Sequence, residues 1–257
     1  MATLLAALTT GYFLVAARVL GLMVTAPVWS SVYIPVTVRI AIGIVLAYAL
    51  TPLVHPVTGG TVAVGLGIVV QFAIGALMGL VLAIFLSLFG MAGQLITYQM
   101  GIGLAAVSAP GVISGGSILA EWNTLLALYV FVAGGGLELT MKALYYSFHA
   151  ISANALTLGL NPVGFVIGLM TTAFMMTVLI AAPMLLAGLA VNLVVGILSR
   201  SFPQINAFLL AMPANAGVSL FVLFLTLPVF FVVTPEIWHH AWTDISRLMA
   251  RWPGVTP

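Results

Sequence analysis

The chain has 257 residues, of which 63% are hydrophobic and 4% charged, six of the charges basic and four acidic. A soluble domain carries about 25% charged residues, and so few ionised groups cannot cover a globule of this size. That excludes a water-soluble fold and leaves an integral membrane protein, or one sheathed in a large apolar assembly. The net charge of +2 is small, and no basic cluster marks a nucleic-acid surface. With no cysteine, disulfides and thiolate metal centres are excluded as well.

A bilayer core about 30 Å thick takes roughly 20 apolar helical residues. The first predicted helix covers residues 3–25 and stops at Ala26-Pro27. Its N-terminal Met1-Ala2-Thr3 lacks the basic region of a cleavable signal and is read as the start of that helix. Residues 38–51 form a short second helix closed by Pro52 and Pro56, followed by a turn containing Gly59-Gly60. A third, charge-free helix spans residues 62–89.

Residues 90–117 break the pattern. They hold Gly90, Gly93, Gly101, Gly103, Gly111, Gly115 and Gly116, with Gln94, Gln99, Ser108, Pro110 and Ser114 among them. Each glycine inside a helix costs about 1 kcal/mol relative to alanine. Irregular backbone at apolar depth survives only where protein shelters it or where it lines a cavity. An irregular, sheltered loop is therefore expected here.

Residues 118–149 resume a helix with a kink at Gly134-Gly135-Gly136, and residues 154–162 form a loop. The apolar run 163–200 would extend about 57 Å as one helix, so it either projects beyond a bilayer or divides at Pro183. A turn at 201–206 leads to a last hydrophobic helix, 207–233. Residues 234–257, with four charges and three tryptophans, are read as a polar tail. Arg39 and Arg200 balance Arg247 and Arg251, so counting basic residues assigns no orientation.

Gly75, Gly79, Ala83 and Ser87 recur every fourth residue along the third helix. Such a stripe lets a second backbone approach closely, from the same chain or from another subunit. Arg18 lies within the first hydrophobic helix, where it is either functional or snorkels to the interface. Glu138 and Lys142, four apart in the favourable order, suit a local ion pair; the alternative is a carboxylate, Glu121 or Glu138, for proton coupling. His55, His149, His239 and His240 fall in a loop, at a helix end and in the tail, whereas a haem needs histidines facing each other within a bundle. Arg200, Pro203, Gln204 and Asn206 suit a structured turn, proline interrupting the helix and Asn206 capping the next one. The sequence offers no nucleophile–base pair, phosphate loop or metal constellation, and is read as non-enzymatic, without metal or cofactor.

Three stretches carry a family resemblance when taken together. The first runs through Ala16-Ala17-Arg18-Val19-Leu20-Gly21, Thr25-Ala26-Pro27-Val28-Trp29-Ser30-Ser31, Ile34-Pro35 and Val38-Arg39. The second is Ala92-Gly93-Gln94-Leu95-Ile96 with Gln99-Met100-Gly101. The third joins Ala181-Ala182-Pro183, Asn192 and Gly196 to Arg200-Ser201-Phe202-Pro203-Gln204-Ile205-Asn206-Ala207-Phe208. In order and spacing, over nearly the whole chain, they resemble the FliR (SctT) family of type III export-gate proteins. The family's usual Asp-Pro step is replaced here by Ser108-Ala109-Pro110-Gly111. Met212-Pro213-Ala214-Asn215 lacks the lysine typical of virulence homologues, so the resemblance is to the flagellar branch.

The resemblance implies an all-α, hydrophobic, helical-hairpin subunit with long kinked helices and an irregular Gly-rich plug loop. It implies a channel built with FliP and FliQ homologues, an FlhB-type switch protein as neighbour, and unfolded flagellar proteins as exported substrates. The implied location is the bacterial inner membrane and flagellar basal body. Residues 1–160 would form a FliP-like part with the loop at about 90–117, and residues 161–257 a FliQ-like hairpin with its tail. Plug and channel lining would fall on Gln94, Gln99, Met100, Gly101, Gly103, Ser108, Pro110, Gly111, Gly115 and Gly116. Helix or subunit packing is expected at Gly75, Gly79, Ala83, Ser87, Asn192 and Gly196. Two alternatives are a small-solute secondary transporter, with Gln94, Gln99 and Asn192 lining its site, and the equivalent subunit of a virulence secretion system.

Overall fold

Apolar side chains at three- and four-residue spacing run through almost the whole chain, and the described backbone folds as helix after helix. The computed structural model describes residues 2–31, 34–54, 61–100, 115–152, 162–202 and 207–250. Their order is α1 (Ala2–Thr25), α2 (Val36–Leu50), a short 3-10 turn (Thr51–Leu53), α3 (Thr61–Gln99), α4 (Gly115–Ala133), α5 (Gly136–Ala150), α6 (Pro162–Ser201) and α7 (Ala207–Ala250). The described residues form no strand, so the fold is all-α. Ala63–Gln99, Val163–Ser201 and Leu210–Pro228 are long and apolar enough to cross a membrane. The chain is a membrane protein.

Two expectations need correction and one open alternative is decided. The third helix does not end at Phe89 but continues through Gly90, Gly93 and Gln94 to Gln99. The irregular segment is correspondingly shorter than residues 90–117, because helix resumes at Gly115. The reason is tertiary. A Cβ on Gly90 would lie 2.8 Å from Thr124 Oγ1 of α4, so this glycine serves close helix packing, and packing outweighs its low propensity. Second, Pro183 does not divide the long run, since α6 is a single helix of 40 residues, about 60 Å in contour. Third, residues 234–250 of the segment taken as a polar tail are helical and continue α7, which runs through Pro213, Pro228 and Pro235. Each proline removes one hydrogen bond, while Ile237, Trp238, Ala241, Ile245 and Met249 bury one face of the extension.

The kink expected near Gly134 is a full break. Gly135 adopts φ 80°, a left-handed conformation that glycine enters without penalty, and it stands as the N-cap of α5.

The chain divides into two compact units, residues 1–85, 135–170 and 237–257 in the first, and residues 86–134 and 171–236 in the second. In the first, Leu14, Val15, Val19, Leu22 and Met23 of α1 are buried at helical spacing, as are Ile74, Met78, Val81, Leu82 and Phe85 of α3. α1 and α3 cross at very short range. A Cβ on Gly79 would sit 2.7 Å from Leu22 O, and one on Gly21 would sit 3.0 Å from Ala76 N. Gly75 likewise faces the Arg18 backbone, and Thr25 Oγ1 donates to Ala76 O at 3.0 Å. At this pair of helices the small stripe serves packing within one chain. α2 lies on α1 through Gly43, against Leu20 and Met23.

In the second unit, Ala92, Ile96 and Met100 of α3 form a core with Ala181 and Met184 of α6. Leu95, Ile180, Leu185, Ala216, Val222 and Leu223 close around it.

Candidate functional site

The last turns of α3 carry the Gln94–Met100 motif, and α6 and α7 supply its seat. Ala92, Ile96 and Met100 recur every four residues, so one face of α3 is small or flexible and apolar. Met100 closes the final turn, its N–H bonded to Ile96 O at 3.0 Å, and its side chain is buried. Gln99 is half-buried against α6 at Gly188, where a Cβ would come within 2.8 Å of Gln99 Cδ. A side chain at 188 and this placement of Gln99 exclude each other. Gln94 is exposed and takes no part in the seat. The hairpin is also pinned by a polar contact, Asn215 Nδ2 donating to Asn192 Oδ1 at 2.7 Å. The cluster consists of aliphatic, thioether and amide groups, suited to holding a helix end in place rather than to bond chemistry.

The first unit holds a second polar constellation. Arg18 is fully buried and does not snorkel. Its Nε and Nη2 both donate to Gln71 Oε1 of α3, Nε at 2.7 Å. Its Nη1 donates to Ser147 O at 2.7 Å and Ser147 Oγ at 3.2 Å, and Nη2 to Ile151 O at 3.0 Å. Those bonds occupy the five N–H groups of a guanidinium. Ser147 and Ile151 lie at the C-terminal end of α5, where the helix dipole is negative, and the Ser147 carbonyl accepts the Arg18 bond in addition to the Ile151 N–H at 2.9 Å. Arg18 also lies over the Phe148 ring, 4.3 Å from its centroid. A cation deep in an apolar unit is thus held by neutral acceptors and a helix terminus. Gln71 in turn donates to Ser152 O at 3.2 Å.

Of the other residues singled out in sequence, Ala83 is half-buried, Ser87 is exposed, and a Cβ on Gly196 would meet nothing within 4 Å. Arg200 is exposed in the last turn of α6, and helix resumes at Ala207. Gly101, Gly103, Ser108, Pro110 and Gly111 lie outside the described residues, as do Pro203, Gln204 and Asn206. Gly115 and Gly116 open α4. Glu138 and Lys142 pair at 2.7 Å on an exposed face, a contact worth little in stability.

Sequence reasoning missed Gln71 and Gly188. The first had a signal, because Gln71 is the one polar side chain between Val62 and Leu86, and a buried arginine needs such an acceptor. The second had none, since nothing local separates Gly188 from the other glycines of α6.

The family model of the bacterial export proteins, family 1, matches residues 9–241, which contain both constellations. The chain belongs to that family. Members of bacterial export family 1 to which it is similar include the flagellar biosynthetic protein FliR of Aquifex aeolicus, 28% identical over 222 residues, covering 82% of this chain and 83% of that protein. FliR of Escherichia coli K12 is 26% identical over 243 residues, with coverage of 93% and 91%. FliR of Pectobacterium carotovorum is 28% identical over 241 residues, with coverage of 91% and 88%. The family is one of structural export components rather than of enzymes.

Proposed function

We propose that the chain is the FliR-type subunit of the flagellar protein export gate in the bacterial inner membrane and basal body. It assembles with FliP and FliQ homologues beside an FlhB-type switch protein, and unfolded flagellar proteins pass through the resulting channel. The observation that carries this is the family match across residues 9–241, joined to FliR relatives aligned over most of both chains. Residues 1–160 act as the FliP-like part, and residues 161–257 as the FliQ-like hairpin. The segment 94–116 contributes to channel closure, with Met100 and Gln99 as its root on α6.

Purification in mild detergent from its own cells tests the assignment. The chain is expected to elute with several copies of two other hydrophobic proteins. Elution alone, or as a small homo-oligomer, overturns the gate reading and favours a transporter. Removing residues 110–116 tests the closure: the complex should assemble and leak ions or small solutes, and assembly with unchanged leakage refutes it.

A further inference from the structure

The fold treats the two arginines of α1 and α2 in opposite ways. Arg18 is saturated with acceptors. Arg39, in the first turn of α2, donates only from Nη2, to Ser31 O at 3.2 Å. Among the described residues its guanidinium makes no other hydrogen bond and no ion pair. Its Nε–H is nonetheless closed off from solvent, and no acceptor meets it. The same is true of the indole Nε1–H of Trp29, two residues before Ser31 in the turn that Arg39 grips. The start of α2 adds further donors. Its N-cap is Pro35, no side chain caps it, and no acidic residue occupies its first turn. The orphan N–H groups of that turn, at the positive end of the helix dipole, stand beside Arg39. Each of these unspent groups is a donor, and their complement is an anion with several acceptor oxygens.

The helix leading away from this corner indicates what carries the anion. Val36, Ile40, Ile44 and Tyr48 recur every fourth residue and are 61%, 45%, 47% and 77% exposed. That stripe runs about 18 Å, close to the depth of one leaflet of a bilayer core about 30 Å thick. A free phosphate would use only the donors, and an alkane only the stripe. A phospholipid uses both.

We propose that the α1–α2 corner is a binding site for an anionic phospholipid. Its phosphate is held by the Arg39 guanidinium, the Trp29 indole N–H and the N-terminus of α2, and an acyl chain lies along Val36, Ile40, Ile44 and Tyr48. No acidic residue precedes Glu121 in the chain, so this corner offers nothing to the cation of a zwitterionic headgroup. A headgroup with net negative charge is therefore preferred. Two buried N–H groups that would otherwise stay unpaired gain an acceptor, which is where the affinity arises.

The test titrates lipid into the purified protein, with whatever subunits accompany it, in mild detergent, and counts bound lipid by native mass spectrometry. Phosphatidylglycerol is expected to bind about fivefold tighter than phosphatidylcholine of the same chain length. Arg39→Gln should weaken phosphatidylglycerol about tenfold, through the loss of charged hydrogen bonds. Trp29→Phe removes the indole N–H but keeps a ring, and should weaken it about threefold. Arg200→Gln, at an exposed arginine of α6 with no shielded N–H, should change nothing. Inorganic phosphate alone should not displace the lipid. Equal affinity of the wild type for the two lipids overturns the proposal without recourse to any variant. An equal loss with Arg200→Gln also overturns it, by reducing the effect to general attraction between arginines and headgroups. Displacement by inorganic phosphate would leave a phosphate site with no part for the stripe. If Arg39→Gln shed the accompanying subunits with lipid affinity unchanged, Arg39 would serve a partner's carboxylate, and the lipid site would be refuted.

Discussion

Arg18 of α1 and Gln71 of α3 are bound by two hydrogen bonds to a single carboxamide oxygen, while the rest of the guanidinium caps the C-terminus of α5. One side chain thereby joins three helices far apart in sequence. Removing Arg18 takes the charged donor from two buried acceptors, Gln71 Oε1 and the Ile151 carbonyl, and at about 1–3 kcal/mol each this comes to about 2–6 kcal/mol. Arg18→Leu is expected to lose that much in detergent unfolding. Arg18→Lys should lose about 2 kcal/mol, because an ammonium keeps the charge but cannot span Gln71, Ser147 and Ile151 with one planar fork. A lysine variant as stable as the wild type would show that charge alone suffices.

Gly79→Leu should be more damaging than Gly196→Leu for the isolated chain. At position 79 the first added carbon already lies 2.7 Å from Leu22 O and 2.8 Å from Ala26 N, and backbone cannot rotate aside. Separating α1 from α3 also pulls Arg18 off Gln71. Overpacking typically costs about 1–3 kcal/mol, and this site belongs at the upper end. Thermal unfolding of the two purified variants side by side decides it, and equal melting temperatures would refute the close crossing.

Gly135→Ala is expected to destabilise by about 1 kcal/mol through its backbone alone. A φ of 80° suits glycine, and no heavy atom crowds the site more closely than Glu138 Oε2 at 4.0 Å. Gly134→Ala, in contrast, brings a Cβ 2.9 Å from Val130 O and should act through crowding. Replacing Gly135 with Asn, which tolerates the left-handed region, should recover part of the loss in the same unfolding measurement.

Gly188→Ala should displace Gln99 and loosen the end of α3, at a cost of about 1–3 kcal/mol. Removing the obstacle tests the cause. In the double variant Gly188→Ala/Gln99→Ala, much of the loss should return, giving a coupling that two independent sites would not show. Strict additivity of the two single variants in unfolding or in assembly would sink the contact.

The helical class and the membrane setting were legible in the apolar run and the scarcity of charge, because helices satisfy their own backbone and apolar faces need no sequence-distant partner to be recognised. Motif spacing pointed to the family for a similar reason, since Gln99-Met100 and Pro203-Gln204 are local words in the chain. Helix ends were less legible. Gly90 and Gly93 looked like the start of irregular backbone, and the charges and tryptophans after residue 233 like a polar tail, because propensity and composition are local quantities. Contacts from elsewhere overrode them: Thr124 against Gly90, and the buried face from Ile237 to Met249 beyond Pro235.

By itself, then, the sequence determined what kind of medium surrounds this protein and that its elements are helices, both of which follow from composition and short-range periodicity. Only the tertiary structure decided what each small or polar residue inside those helices is for. Gly75 and Gly79 meet α1, Gly188 meets Gln99, and Gly196 meets nothing, although all four are glycines in apolar helices. Arg18 is buried rather than snorkelling because Gln71, Ser147 and Ile151, brought from other helices, offer acceptors in the interior. A glycine's role is set by what occupies the space it leaves, and a buried charge's by what can bond to it. Both depend on residues distant in sequence.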